Sequence, residues 1–205
     1  MKLVQFIIIF LFVLSLASCS SSKNFSTLQK ELIRKENSLK PMRVFLITNK
    51  QDSLLLRKKS TYIKPNPKNN ILKHFAQRLI ATVTDSASLG VGIAAPQVGI
   101  LKNIICVQRL DKTDLPFEIY LNPVIKKYSV KKRPCPEGCL SIPNTRAKTI
   151  DRAFRIFIEY DKLDGKHYAE SVDDFVSVIF QHEIDHLHGI LFIDHLLEET
   201  KKTKD

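Results

Sequence analysis

A chain of 205 residues, 44% of them hydrophobic, can bury one real core, a domain of about 150 residues plus an extension, and is not a disordered composition. The formal net charge of +11 suits a solubilising surface with basic linkers; its other use is attraction to anionic lipid or nucleic acid. No Cys/His finger spacing and no dense run of basic and aromatic residues accompanies the charge, so no nucleic-acid partner is expected, and four cysteines (Cys19, Cys106, Cys135 and Cys139) are too few for a disulfide scaffold.

In chain order, Lys2 precedes an apolar run over residues 6–14, and the small residues Ala17 and Ser18 follow. That order is a secretory signal, and the run is too short to span a bilayer comfortably. Leu16-Ala17-Ser18-Cys19 resembles the lipobox of bacterial lipoproteins. By that resemblance residues 1–18 are removed and Cys19 becomes the first mature residue, carrying lipid on its sulfur; two or more acyl chains anchor stably where one does not. The competing reading is an ordinary signal peptide with an incidental cysteine, or an uncleaved anchor. Residues 20–22, all serine, read as a flexible tether. Phe25, Leu28, Leu32 and Ile33 suggest a short amphipathic helix that Pro41 ends.

Residues 44–47 are a short apolar run, expected to be a strand, and the Pro65-Asn66-Pro67 region a loop. Ile71, Leu72, Phe75, Leu79, Ile80 and Val83 fall on one helical face, so the spacing predicts a helix over 71–84. Apolar, β-branched runs at 104–108, 118–121 and 124–130 read as strands. Residues 155–160 alternate as a half-buried strand does, Asp164-Gly165 makes a hairpin turn, and 167–172 is the return strand. Asp173 or Asp174 can cap a helix over 175–188, which Gly189 stops. The class is α+β, with short, mostly antiparallel strands and one decisive helix near the end. The expected catalytic domain spans 42–198, preceded by the lipidated cysteine and tether (19–41) and followed by a charged tail (199–205).

That late helix contains His182-Glu183-Ile184-Asp185-His186, an HExxH pattern. Residues four apart share a helix face, so both imidazoles can reach one ion while Glu183 handles protons from a bound water. The bland alternative is two surface histidines flanking a solvated glutamate. A catalytic site of this kind needs three protein ligands and an open position. The extended form of the motif would place its third histidine where Phe192 stands, His195 comes three residues too late, and Glu198 and Glu199 sit close to the tail. The third ligand is therefore expected upstream. Cys139 is the leading candidate there, since a thiolate is a good ligand for zinc or ferrous iron; a lone cysteine is more often an inert buried thiol. Residues 90–97 loosely satisfy a glycine-rich nucleotide fingerprint, but a helix precedes them and Pro96 interrupts. Their glycines more plausibly let a substrate or the metal site approach the backbone.

Three segments in this order, 90–97, 137–141 and 182–186, resemble those of the peptide deformylases, over roughly residues 42–197. The resemblance implies that Cys139, His182 and His186 bind ferrous iron (Fe2+), with zinc (Zn2+) or nickel (Ni2+) able to substitute. It implies that Glu183 is the general acid/base and that Gln97 and the backbone N–H of Leu140 form an oxyanion hole. Val91, Gly138 and Arg146 would hold the peptide, Gly92 would keep the site open, and Val178 with the apolar side of His182 would line a methionine pocket. Without it, Gln97 reads as a satisfied buried amide and Arg146 as a surface charge. The implied activity is hydrolysis of the N-terminal formyl amide of formyl-methionyl peptides, by a chain expected to be monomeric and membrane-anchored in the cell envelope. A metallopeptidase or amidase acting on other peptides is the competing activity, and a non-catalytic peptide-binding lipoprotein the third. Export sits awkwardly with a substrate made by cytoplasmic ribosomes. A Cys135–Cys139 disulfide, if it formed outside the cytoplasm, would remove a metal ligand.

Overall fold

The computed structural model describes residues 24–86 and 90–202. The expected signal peptide and the lipidation site Cys19 lie outside these residues. Helix α1 (Thr27–Arg34) starts from a capping box in which Ser26 and Gln29 satisfy each other's backbone N–H. It packs on α3 (Asn70–Val83). Phe25 and Ile33 are buried, and the Phe25 ring meets Phe75 edge-on at 5.7 Å. The buried Arg78 guanidinium donates to the carbonyls of Leu32, Ile33, Lys40 and Pro41. The stretch assigned to a tether is thus docked from Phe25 onward, because it supplies apolar side chains to the core and carbonyl acceptors to a buried cation.

A five-stranded antiparallel sheet runs in the order β1 (Gly92–Ala94), β2 (Ile104–Gln108), β3 (Phe117–Tyr128), β6 (Arg155–Asp161) and β7 (His167–Asp173). A separate hairpin pairs β4 (Cys135–Cys139) with β5 (Ile142–Thr149). The sheet is covered on both faces. Ile104 and Cys106 of β2 join a cluster with Phe75 and Leu79 of α3. Ile105 and Val107 join a second cluster with Ile179 and Phe180 of α4 (Asp174–Leu187). Successive side chains of a strand point to opposite faces, which is why residues 104–107 are all apolar instead of alternating. The α+β expectation holds, with strands and the late helix within a residue or two of the expected ends.

Elsewhere the structure corrects the reading. Residues 44–47 are not a strand: the Phe45 N–H reaches the carbonyl of Gln97 and the Ile47 N–H that of Ser141, single bonds to two different segments rather than a ladder. The runs 118–121 and 124–130 are one strand, β3, which ends at Tyr128 and whose register shifts between Leu121 and Val124. Asn122 there has φ 50°, and its amide ties to the backbone of Ile63 and to Asp161. Helix α2 (Lys50–Leu56), capped by Asn49, and helix α5 (Phe192–Lys202) were not foreseen. Asp173 stands at the N-cap of α4 but makes no side-chain cap, because Arg155 holds its carboxylate at 2.5 and 2.6 Å. Glu199, assigned to the tail, is buried and accepts the N–H groups of Ile150 and Asp151. Gly189 ends α4 with φ 74°, and any side chain there would strike the Arg57 carbonyl.

Candidate metal centre

Helix α4 presents His182 and His186 on its buried side, one turn apart, with ring centroids 5.1 Å from each other. The β4–β5 hairpin brings Cys139, the last residue of β4, against them, its sulfur 3.2 Å from His186 Nε2. One ligand atom from each of the three residues lies within 4.8 Å of the others. A soft thiolate with two imidazoles fits a divalent ion and leaves a fourth position for water or substrate. Burial opposes ionisation of the Cys139 thiol, but the flanking His186 and His182 hold it well below its ordinary range, the form a metal requires.

Behind the ligands lies a charge chain that sequence reasoning missed. Glu137 accepts from His182 Nδ1 at 2.8 Å, which leaves Nε2 as the ring nitrogen free for an ion. The same carboxylate takes two bonds from Arg152, at 2.8 and 3.0 Å, and one from the Thr149 hydroxyl. Burial works against its charge, yet His182 and Arg152 keep it far below the usual carboxylate range. Arg152 continues to Asp185 at 2.6 Å, and Asp185 to His195 at 2.7 Å. So His195 is a partner of Asp185, and Phe192 stacks on the His182 ring at 6.0 Å. One signal pointed to Glu137: residues two apart on a strand share a face, so a carboxylate two before a ligating cysteine can reach the same histidines.

Glu183 sits beside this triad, buried, with Oε2 lacking any hydrogen-bond partner among the described residues. Burial pushes its carboxyl up to about 7, near the value that suits a proton carrier at neutral pH. Gly92 explains the close approach: a Cβ there would lie 2.5 Å from Glu183 Oε1 and 2.9 Å from Ile179. Gln97 is buried in the turn after β1. Its Oε1 accepts the Ala94 N–H at 2.8 Å, which decides the amide's orientation and aims Nε2 at Ser141 Oγ (3.2 Å) and the Cys139 sulfur (3.6 Å).

A cleft of about 970 Å³ opens over these groups, and Val91, Gly92, Gln97, Gly138, Leu140, Arg146, Val178, His182 and Glu183 all line it. Gly138 pairs with Arg146 across the hairpin. Among the described residues no carboxylate neutralises Arg146 at the exposed rim, whereas the Val91 carbonyl is committed to the Gln108 N–H. Cys139 lines it too, whereas His186 lies buried behind the wall, in reach of the Cys139 sulfur. The feared Cys135–Cys139 bridge is geometrically remote. Both thiols are free, and four residues of strand span about 13 Å, beyond the reach of a disulfide.

Comparison with known proteins agrees with this geometry. The family model for polypeptide deformylase matches residues 44–202. The peptide deformylase of Desulforudis audaxviator is 35% identical over 153 residues, covering 75% of this chain and 94% of that one. Peptide deformylase 1 of Clostridium perfringens is 37% identical, with 71% and 94% covered. The Met-Ala-Ser-bound class I type b peptide deformylase of Acinetobacter baumannii superposes with TM-score 0.65 at 31% identity, covering 75% of this chain and 97% of that one.

Proposed function

Because the chain belongs to the polypeptide deformylase family, it is a metal-dependent hydrolase that removes the formyl group from N-formylated peptides, and we propose how its own residues divide that work. The observation that carries the proposal is the convergence of Cys139, His182 and His186 beside a buried Glu183 whose Oε2 has no hydrogen-bond partner among the described residues. Cys139, His182 and His186 hold the ion, taken to be ferrous iron, with zinc or nickel as substitutes. When bound, the ion supplies Lewis acidity, polarising the formyl carbonyl and acidifying a water. Glu183 accepts that water's proton as the water oxygen adds to the formyl carbon, and returns it to the amine as the formyl C–N bond breaks, releasing formate and a free N-terminus. Gln97 Nε2 and the Leu140 N–H donate to the formyl oxygen as negative charge grows there. Gly92 keeps the Glu183 carboxylate close, and Glu137 holds the His182 ring. Val91, Gly138 and Arg146 hold the peptide, and Val178 with the apolar side of His182 receives its first side chain. The test is formate release by purified protein of known metal content, with formyl-Met and acetyl-Met peptides offered side by side. Strong preference for the formyl group is expected; equal cleavage of both would assign a general amidase instead.

We further propose that residues 1–18 are a signal peptide and that Cys19 carries lipid, so that a monomeric enzyme acts from the cell envelope on exported or external formyl-peptides. The Leu16-Ala17-Ser18-Cys19 sequence supports this. Mass analysis of the mature N-terminus tests it: an acylated cysteine is expected, and an intact Met1 would refute it.

A further inference from the structure

We infer that the exposed leucine flank of α1 rests on an anionic phospholipid bilayer, a non-covalent contact beside the lipid anchor; the geometry of this contact builds on the lipoprotein reading above. The core side of α1 is Ile33, fully buried, with Phe25 just before the helix. One flank of the helix carries Leu28, 77% exposed, and Leu32, 37% exposed, one helical turn apart, and Leu39 follows at 80%. Leucines held in water in such a row are unusual for a docked helix, whose apolar stripe normally faces the core. The same segment exposes Lys30, Arg34, Lys35 and Lys40 against Glu31 and Glu36, a net positive charge. Apolar side chains framed by lysine and arginine suit the interface of an anionic membrane, where the leucines enter the headgroup boundary and the cations meet lipid phosphates. A free helix of this length would be marginal in water. Here α3 already holds it through Phe75 and Arg78, so contact with lipid requires no folding.

Chain length adds the geometric argument. Cys19 lies six positions before Phe25, and six residues reach at most about 20 Å when fully extended. Acyl chains on Cys19 therefore keep α1 close to the bilayer. In that pose α3 and the sheet separate the membrane from α4 and its histidines, since α3 and α4 pack on opposite faces of β2. A second basic segment, residues 126–133, exposes Tyr128 and Val130, but its charges are largely engaged. Lys126 pairs with Glu159, Arg133 with Asp174, and Lys131 lies 3.8 Å over the Phe154 ring. It lies beside the start of α4, on the other side of the sheet.

The chain has no tryptophan, so one introduced residue is a unique reporter. The full chain carrying Leu28→Trp is bound to vesicles of phosphatidylcholine, with or without phosphatidylglycerol, and quenched by brominated acyl chains. A blue shift and quenching are expected, stronger in the mixed vesicles, with neither for Val130→Trp. Adding Leu32→Glu should weaken binding to the mixed vesicles about threefold, as losing the exposed third of one leucine implies. Formate release from a soluble formyl-peptide should not change. An acylated chain that floats with the vesicles while the Leu28→Trp emission stays water-like overturns the contact and leaves the anchor standing. Quenching at Val130→Trp alone overturns it in favour of the basic segment. An unacylated chain still quenched at Leu28→Trp supports the contact without the anchor, and one that is not quenched removes both.

Discussion

Replacing Glu137 with glutamine separates a ligand-orienting carboxylate from a merely structural one. The wild-type carboxylate accepts from His182 Nδ1, twice from Arg152, and from Thr149. Its neutral isostere keeps the shape but turns one oxygen into an NH2 group, which in either orientation faces the Arg152 guanidinium together with the His182 N–H or the Thr149 hydroxyl. Arg152, 4% exposed, then retains only Asp185 as a carboxylate partner. Removing one partner of a buried ion pair costs about 3–5 kcal/mol of stability. Losing the acceptor that orients a ligating histidine weakens metal binding about 10–100-fold, or roughly 1.4–2.8 kcal/mol. Urea unfolding of the metal-free protein reads the first effect. Competition between Glu137→Gln and a zinc chelator of known affinity reads the second. A variant that unfolds early yet binds zinc within twofold of wild type would refute the claim that Glu137 acts through His182.

Glu183→Ala should retain its metal, by elemental analysis, while losing nearly all formate release; turnover close to wild type would remove Glu183 from the proton path. Gln97→Ala should lower kcat about 100-fold with little change in the melting curve, and an unaltered rate would dismiss it as an oxyanion donor. Gly92→Ala forces a methyl to 2.5 Å from Glu183 Oε1, so the carboxylate must move; kcat should drop at least about tenfold, as small misplacements of a catalytic group do, while metal content stays constant. Gly189→Ala should destabilise by ~1–3 kcal/mol, because alanine is strained at positive φ and its methyl meets the Arg57 carbonyl; denaturant titration checks this.

How far each feature was legible depended on how local its cause was. The face shared by His182 and His186 follows from a four-residue spacing on a helix, and the strand at 104–108 from four consecutive apolar residues, 104–107. Cys139 was reachable only by excluding Phe192 and His195 and then by family resemblance, since nothing in its own neighbourhood marks it as a ligand. Residues 44–47 have strand-like composition, but no neighbouring strand offers them a ladder. Helix α5 was hidden because its sequence resembles a charged tail until Glu199 is seen accepting two backbone N–H groups.

The sequence by itself determined the helix that carries His182 and His186, the α+β class and the residue types available for catalysis, because these depend on periodicity and side-chain chemistry within a few positions. Only the tertiary structure decided that Glu137, Arg152 and Asp185 form one line of charge behind His182, and that Gly92 must lack a side chain for Glu183 to fit. Those relations join residues 15 to 91 positions apart. Two such groups meet only after strands and helices have packed, and no local spacing records which buried donor will find which acceptor.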